Sequence, residues 1–232
     1  MIHFPFERDK DYQIERLFEF EAELLRIRQS DPDQSDRLRE PTDREWWWIK
    51  LRHEELLPLL CCVRHNKFSV RATFRIMPSG DPVDLRVCDG GQETKLQVTL
   101  ADPKWGSSRR GSQHHLQVEL QNEGEIVTGF GPFKRVDGKV TGRDSTLDGA
   151  ELDRAYGDGL KEALARKSKA GGCAQVLIVY CRAYDEAMSA GRFRSLTELA
   201  RASCHSIKFA QIWFVGRAED FFAEVSNEAP GR

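Results

Sequence analysis

The hydrophobic and polar positions change their period along the chain, and each change predicts a different kind of element. Residues 14–29 place Ile14, Leu17, Leu24 and Leu25 at helical spacing. From residue 68 to residue 76 apolar and polar side chains alternate, which is typical of a half-buried strand. The later segment AQVLIVYC is an unbroken apolar run, as expected of a strand buried on both faces. The pattern predicts helices first, then a meander of strands, then alternating helices and strands.

A second helix is predicted after a polar loop. Thr42 or Asp43 can cap it, and Pro58 is expected to end or kink it near Leu57, because proline lacks an N–H and clashes with the preceding turn. Its tryptophan triplet, residues 46–48, offers either a base-stacking platform or core packing. Three consecutive helical residues span a wide arc, so we expect at least one of the three rings to pack inward.

The segment PVDLRVCDGGQETKLQVTL predicts two short strands around a glycine turn. Asp84 is an unusual residue in the first strand, because aspartate is unfavourable in strands unless an interaction offsets the cost. If the turn is tight, pairing of Cys88 with Glu93 places Asp84 opposite Gln97. The spacing therefore predicts that Asp84, Gln97 and Thr99 form one polar cluster on the sheet.

The rest of the chain adds strands and a basic helix. HHLQVELQ and EIVTGFGPFKRVDGKV predict two further strands, and residues 146–172 predict a helix with a basic last part. Its late lysines include Lys161 and Lys167. SLTELARASC then predicts a helix, and FAQIWFV predicts a final strand.

Composition and charge restrict the classes of function. The chain has 232 residues, 40% of them hydrophobic, with a formal net charge of -2 and a pI of about 6.3, so nucleic-acid binding would need a local basic patch. Its six cysteines form no CxxC pair, which indicates neither a zinc cage nor a disulfide framework and favours a cytoplasmic location. No apolar run approaches the roughly 18 residues that a membrane span requires, so no membrane association is expected.

The order helix, three antiparallel strands, basic helix and buried strand resembles the core of the PD-(D/E)XK nuclease superfamily. In that superfamily an Asp on the second core strand and a (D/E)xK triplet on the third strand hold a divalent cation. Pro82-Val83-Asp84 matches the Asp element, and Gln97-Val98-Thr99 stands at the triplet, with glutamine for the second acid and threonine for the lysine. The resemblance implies an α/β restriction-endonuclease-like domain over residues 41–232, with a mixed sheet flanked by helices, after a helical N-terminal arm over residues 1–40.

The resemblance also implies a set of ligands for Mg²⁺. Asp84 and Gln97 would hold the ion, and Glu55 or Glu54 on the preceding helix could supply the missing carboxylate. A neutral amide in place of an anion weakens the attraction for a hard cation, so weak Mg²⁺ binding and slow or no cleavage of duplex DNA are expected. Solvated charge on a helix face is the simpler interpretation of Glu55.

The remaining expected site residues are basic or polar. Thr99 and Lys167 join Asp84 and Gln97 as candidate catalytic residues. The candidate nucleic-acid contacts are Lys161, Lys167, Arg109 and Arg110, the last two in the loop KWGSSRRGS. Solvent exposure without a ligand is again the simpler interpretation of the lysines.

Two alternatives stay open at this point. Glu119 with Gln121 would restore a carboxylate if residues 116–121 formed the third core strand. The function is the second open question: the chain is either a metal-dependent nuclease with an altered site or a non-catalytic protein that binds nucleic acid or a protein partner. The number of carboxylates that converge on Asp84 distinguishes these two functions.

Overall fold

The structure is a computed structural model, and part of the chain is described in it. The described residues are 4–30, 48, 51–101, 134–136, 139–141, 149–170, 174–181, 189–204, 207–216 and 221–226. The chain divides into a larger compact unit, Met1–Ala101 with Ala163–Arg232, and a smaller one, Asp102–Glu162. Arg109, Arg110, Glu119 and the predicted strand HHLQVELQ lie outside the described residues.

Nine strands are described. They are β1 (Asp11–Gln13), β2 (Thr73–Ile76), β3 (Leu85–Asp89), β4 (Gln92–Leu100), β5 (Lys134–Val136), β6 (Lys139–Thr141), β7 (Val176–Cys181), β8 (Gln211–Gly216) and β9 (Phe222–Ser226). In the smaller unit β5 pairs with β6. In the larger unit the other strands form a mixed sheet in the order β1-β2-β3-β4-β7-β8-β9. The pairs β4–β7 and β7–β8 are parallel and the other pairs of this sheet are antiparallel, so β4 joins the antiparallel strands β1–β3 to the parallel pair that follows.

Four α-helices are described: α1 (Ile14–Ser30), α2 (Leu57–Arg64), α3 (Gly149–Ala170) and α4 (Ala190–Ser203). A π-helical turn, Arg52–Leu56, leads directly into α2. The chain therefore stays helical through Pro58, and at Leu57 the helix changes from π-helical to α-helical winding instead of ending. Pro58 lies in the first turn of α2, where a missing N–H is tolerated. None of the described helices has the length and apolar character needed to cross a membrane.

One hydrophobic cluster joins α1 and α2 to a face of the sheet. It includes Leu17 of α1, Leu59 of α2 and the strand residues Phe74, Leu96 and Ile178. Burial of such side chains is the main force that holds helices on a sheet, at about 25 cal/mol per Å² of apolar surface. This packing fixes the helices that border the candidate site described below.

The tryptophan triplet contributes to the same cluster. Trp48 is buried, and its ring stacks on Phe4 with centroids 5.5 Å apart. The prediction that at least one of the three rings packs inward is therefore confirmed. The other two tryptophans lie outside the described residues.

The hairpin of β3 and β4 has the predicted register. Cys88 pairs with Glu93, and Leu85 pairs with Leu96. The turn contains Gly90 and Gly91 with φ values of 58° and 85°, which two-residue hairpin turns require and glycine adopts without strain. The register matters because it brings the start of β3 beside the second half of β4.

The strand predicted from residue 68 is shorter than the alternation indicated. Residues 69–71 form a turn in which the Ala72 N–H donates to the Ser69 carbonyl at 3.0 Å, and β2 begins only at Thr73. Val70 is consequently 52% exposed. The pattern also did not predict β1 or β9, because strands of three and five residues at the sheet edges carry little periodic signal.

Candidate functional site

Asp84 lies immediately before β3 and links three neighbouring segments. Its N–H donates to the Leu96 carbonyl at 3.0 Å, and its own carbonyl accepts from the Met77 N–H at 3.0 Å. Its carboxylate oxygen Oδ2 accepts the Val98 N–H at 2.7 Å. Because strand N–H groups point along the sheet plane, the carboxylate lies close to that plane and replaces a backbone acceptor. This charge-assisted bond explains how an aspartate is accommodated at this place.

Lys167 of α3 reaches the same carboxylate oxygen. Its Nζ lies 3.5 Å from Asp84 Oδ2, and the side chains of the two residues are 20% and 31% exposed, respectively. The expectation that one of the two late lysines points toward Asp84 is met by Lys167, and its contact with phosphate stays a prediction. Lys161 lies 4.0 Å from Asp158 of its own helix and belongs to the smaller unit.

Gln97 and Thr99 lie two positions apart on β4 and therefore on the same face of the sheet. Both are buried. The Gln97 amide nitrogen donates to the Pro82 carbonyl, and its oxygen Oε1 is buried with no hydrogen-bond partner among the described residues. Within that part of the chain no hydrogen bond joins the side chains of Asp84 and Gln97, because each bonds a backbone group instead. The predicted cluster is thus looser than the pairing alone indicated.

The unpartnered Gln97 oxygen is the most informative single atom of the site. Gln97 is only 5% exposed, and leaving a polar atom unpaired in such a place costs about 1–3 kcal/mol. Native proteins contain few such atoms, and they commonly mark a bound water, ion or ligand. A buried carbonyl-type oxygen with free lone pairs suits a cation or a hydrogen-bond donor.

Glu55 supplies a second carboxylate near Asp84. Its Oε1 lies 3.5 Å from Nη2 of Arg8, and its Oε2 is buried without a hydrogen-bond partner among the described residues. Burial, and after it the charge of Asp84, raise the pKa of Glu55 from its usual 4.5 to about 8, although Arg8 opposes both. Glu54, the preceding residue of the turn, also raises the pKa of Glu55.

The π-helical turn that carries Glu55 is held at its first residue. Arg52 is 8% exposed, and its Nε donates to Glu21 of α1 at 2.6 Å. A π-helical turn contains one residue more than an α-helical turn, so it rotates the side chains before α2 relative to those within it. The direction of Glu55 is therefore determined by this turn and by its anchor on α1.

The chemistry of these donors is suited to a hard cation. A site that includes Asp84, Glu55 and the Gln97 oxygen would offer two carboxylates and one amide oxygen, which Mg²⁺ accepts as ligands. Within the described ranges, no group of three or more His, Cys, Asp or Glu side chains is arranged to hold a metal ion. Lys167 and Arg8 each contact one of the two carboxylates, so a cation would compete with both basic side chains.

Comparison with known proteins adds no further constraint. No family model matches the chain, and no curated protein or solved structure matches it significantly. The function of the site must be inferred from its geometry.

Two features of the site were not predicted from the sequence. Arg8 lies 47 positions before Glu55 in the sequence, and no local pattern indicates contact between residues so far apart. The Val98 N–H is a backbone group of a kind that almost every residue has, so the sequence does not mark it as the donor to Asp84. Only the three-dimensional path of the chain brings these groups to Glu55 and Asp84.

Proposed function

We propose that the larger unit has a restriction-endonuclease-like fold and that the protein is nuclease-like, with a weak Mg²⁺-dependent site for phosphodiester hydrolysis in nucleic acid. The observation that carries this proposal is the contact of Asp84 with Lys167 beside the carboxyl end of β4. Ligands of α/β proteins commonly bind at the carboxyl ends of parallel strands. The element order α2, β2, β3, β4, α3 and β7 supports the fold assignment.

Each residue of the site has a distinct task under this proposal. Asp84, Gln97 and Glu55 would hold Mg²⁺, which when bound polarises the phosphoryl oxygen and lowers the pKa of a bound water. Lys167 places an ammonium group beside Asp84, where it can stabilise negative charge on a phosphate. Lys167 on α3 would thereby take the place of the lysine of the (D/E)xK triplet, a position that Thr99 occupies on β4 in this chain.

The site is expected to be slow because its charges are unfavourable for a metal. Gln97 contributes a dipole instead of an anion, and Lys167 and Arg8 already neutralise the carboxylates. Electrostatic attraction for a divalent ion falls with each lost anionic ligand.

The same pairing favours a second candidate function, a non-catalytic protein that binds nucleic acid or a protein partner. In the structure each carboxylate already has a basic partner, Asp84 with Lys167 and Glu55 with Arg8. Binding of nucleic acid without cleavage would then be the activity of this surface.

Calorimetric titration with Mg²⁺ tests the metal site. Gln97→Glu is expected to tighten Mg²⁺ binding about five- to tenfold, which is about 1–1.4 kcal/mol for one added anionic ligand. Gln92→Glu, at the exposed start of the same strand, is the matched control and should leave the affinity unchanged. Equal affinities for wild type and Gln97→Glu would show that Gln97 does not occupy a ligand position.

Asp84→Asn is the appropriate variant for the central carboxylate. Its amide oxygen still accepts the Val98 N–H, whereas alanine would leave that N–H unpaired and confuse function with stability. We expect Asp84→Asn to abolish Mg²⁺ binding and any cleavage of a fluorescent duplex DNA. Brisk cleavage that survives this substitution would locate the nuclease site elsewhere.

A further inference from the structure

Lys67 extends from a fixed turn at the end of α2. The preceding residue, Asn66, has a φ of 57°, and the N–H groups of Asn66 and Lys67 donate to carbonyls of α2 at 2.9 and 3.0 Å. This is the Schellman arrangement that commonly ends a helix, here with asparagine as the left-handed residue. The next residue, Phe68, is buried, and its ring lies 5.7 Å from that of Trp213 on β8. The turn therefore directs the Lys67 side chain toward the last strands of the sheet.

Three side chains contact the Lys67 ammonium group and together form an ammonium cage: Trp213 of β8, and Phe222 and Glu224 of β9. The Lys67 Nζ lies 5.3 Å from the centroid of the Trp213 ring and 4.9 Å from that of the Phe222 ring. It also donates to Oε2 of Glu224 at 2.6 Å. Both ring distances are within the roughly 6 Å over which an aromatic face attracts a cation. The cage therefore combines two aromatic faces with one carboxylate around a single cation.

The pairing of β8 with β9 assembles the walls of the cage. Trp213 pairs with Glu224 across the two antiparallel strands, and Phe222 lies two positions from Glu224, on the same face of β9. Trp213 is only 5% exposed, and the Phe222 ring packs against His65 with centroids 4.8 Å apart. Because the sheet and this packing hold the walls, their geometry does not depend on Lys67. Such preorganisation lowers the cost of binding another cation in the same place.

Lys67 is the internal ligand of the cage. The Lys67 and Glu224 side chains are 25% and 36% exposed, so the cage opens to solvent. Aromatic cages recognise alkylated ammonium groups, which are less strongly hydrated than the compact ammonium group of lysine. A dimethylated ammonium group still has one N–H to donate to Glu224, whereas a trimethylated group has none. The carboxylate therefore favours the dimethylated form.

We propose that the ammonium cage is a binding site for a dimethylated lysine side chain of a partner protein, and that Lys67 occupies the cage until such a ligand displaces it. Lys67 is tethered and has a high effective concentration, so an unmodified lysine of a partner cannot compete with it. The weaker hydration of the dimethylated group favours the exchange. This inference is independent of the proposed function, because it uses no residue of the site around Asp84.

Lys67→Ala tests the assignment, because it removes the internal ligand and leaves the walls of the cage in place. The probe is Nα-acetyl-Nε,Nε-dimethyllysine amide, and its dissociation constant is obtained from the midpoint of thermal unfolding over a series of probe concentrations at constant ionic strength. We expect Lys67→Ala to bind the probe about tenfold more tightly than the wild type. At about ten times the dissociation constant, the midpoint should rise by about 3–5 °C. The trimethylated probe should bind this variant several-fold more weakly, since it cannot donate to Glu224.

Lys10→Ala is the matched control for the lost ion pair. The Lys10 Nζ lies 2.7 Å from Oε2 of Glu7, next to β1 at the opposite edge of the sheet from β9. Its removal deletes a lysine and its carboxylate contact without opening the cage, so the probe affinity should equal that of the wild type. Phe222→Leu in the Lys67→Ala protein keeps an apolar side chain and removes one aromatic face. We expect it to weaken probe binding about fivefold.

The wild type tests displacement without any substitution. It should bind the dimethylated probe and show no binding of Nα-acetyl-lysine amide at the same concentration. Equal binding of these two probes by the wild type, or binding of neither, would overturn the proposal and leave Lys67 as a permanent structural contact. Unchanged probe affinity after Phe222→Leu would show that the probe binds outside the cage and would likewise overturn it. Tighter binding of the trimethylated probe would contradict the role of Glu224 and the choice of a dimethylated ligand.

Discussion

Buried carboxyl and amide groups without partners concentrate at one place in the larger unit. Glu55 Oε2 and Gln97 Oε1 are both unpartnered within the described part of the chain, while Asp84 is bonded to Val98 and contacted by Lys167. Unpaired buried polar atoms reduce stability. Their presence beside an ion pair supports the proposed ligand site at this end of the sheet.

The raised pKa of Glu55 predicts how the free energy of unfolding depends on pH. Its pKa is usually 4.5 and rises to about 8 in the fold, so between these values the folded protein holds a proton that the unfolded chain releases. The stabilising effect of this proton on the fold is complete below pH 4.5 and is lost as the pH rises through 8. We expect Glu55→Gln to unfold like the wild type at pH 5 and to be more stable by about 3 kcal/mol at pH 9, as measured by urea unfolding.

Glu23→Gln is the control for this pH series. Glu23 is exposed on α1, and its hydrogen bond with Arg26 lowers the pKa of its carboxyl, which is the opposite direction. This substitution should bring no gain in stability at pH 9. A parallel rise in both variants would mean that overall charge, and not the buried carboxyl, controls the alkaline stability.

Among the elements, β8 ends at a glycine, Gly216, which leaves no room for a side chain. A Cβ added at Gly216 would lie 2.6 Å from the Cβ of Phe221, and Phe221 stacks on Phe193 of α4 with ring centroids 5.0 Å apart. A Cβ cannot rotate away, so the strand or the ring pair must shift. We expect Gly216→Ala to destabilise the protein by about 1–3 kcal/mol in urea unfolding.

Gly191→Ala is the counterpart on α4. An added Cβ there would meet only the Ser189 hydroxyl oxygen at 3.8 Å, which is an ordinary contact. Because alanine loses less conformational entropy than glycine in a helix, this change should stabilise the protein by about 0.5 kcal/mol. Destabilisation by both substitutions to a similar extent would contradict the contact at Phe221.

The elements that the sequence predicted well have strong local signals. The β3–β4 hairpin combines alternation with two glycines in the turn, and its register follows from those two facts. Strand β7 follows from its unbroken apolar run. The π-helical turn before α2 has no comparable signal, because the sequence pattern does not distinguish a π-helical turn from an α-helical one. The direction of Glu55 could therefore not be predicted.

For the whole molecule, the status of the first 40 residues can be tested by point variants. The sequence predicts a helical arm there, while in the structure Phe6 is 1% exposed and its ring lies 5.5 Å from that of Phe74 on β2. Strand β1 also pairs with β2. We expect Phe6→Ala to cost about 3–5 kcal/mol of unfolding free energy, as for a large ring removed from a core.

Leu25→Ala is the control within the same 40 residues. Leu25 is 56% exposed on α1, so its loss should change the unfolding free energy by less than about 0.5 kcal/mol. An equally small effect of Phe6→Ala would favour an arm that folds independently of the sheet. Sequence periodicity could not distinguish these outcomes, because a three-residue strand and a few aromatic residues have no period to detect.

The hydrogen bond from the Val98 N–H to Asp84 also provides a spectroscopic reporter. An amide proton bonded to a carboxylate responds to any change in the charge on that carboxylate, and Val98 is buried, so bulk solvent contributes little to its signal. In ¹⁵N-labelled protein, addition of Mg²⁺ should shift the Val98 amide resonance more than that of Val87, which lies inside β3. A ligand of this site would therefore be detectable without a label on the ligand and without any catalytic turnover.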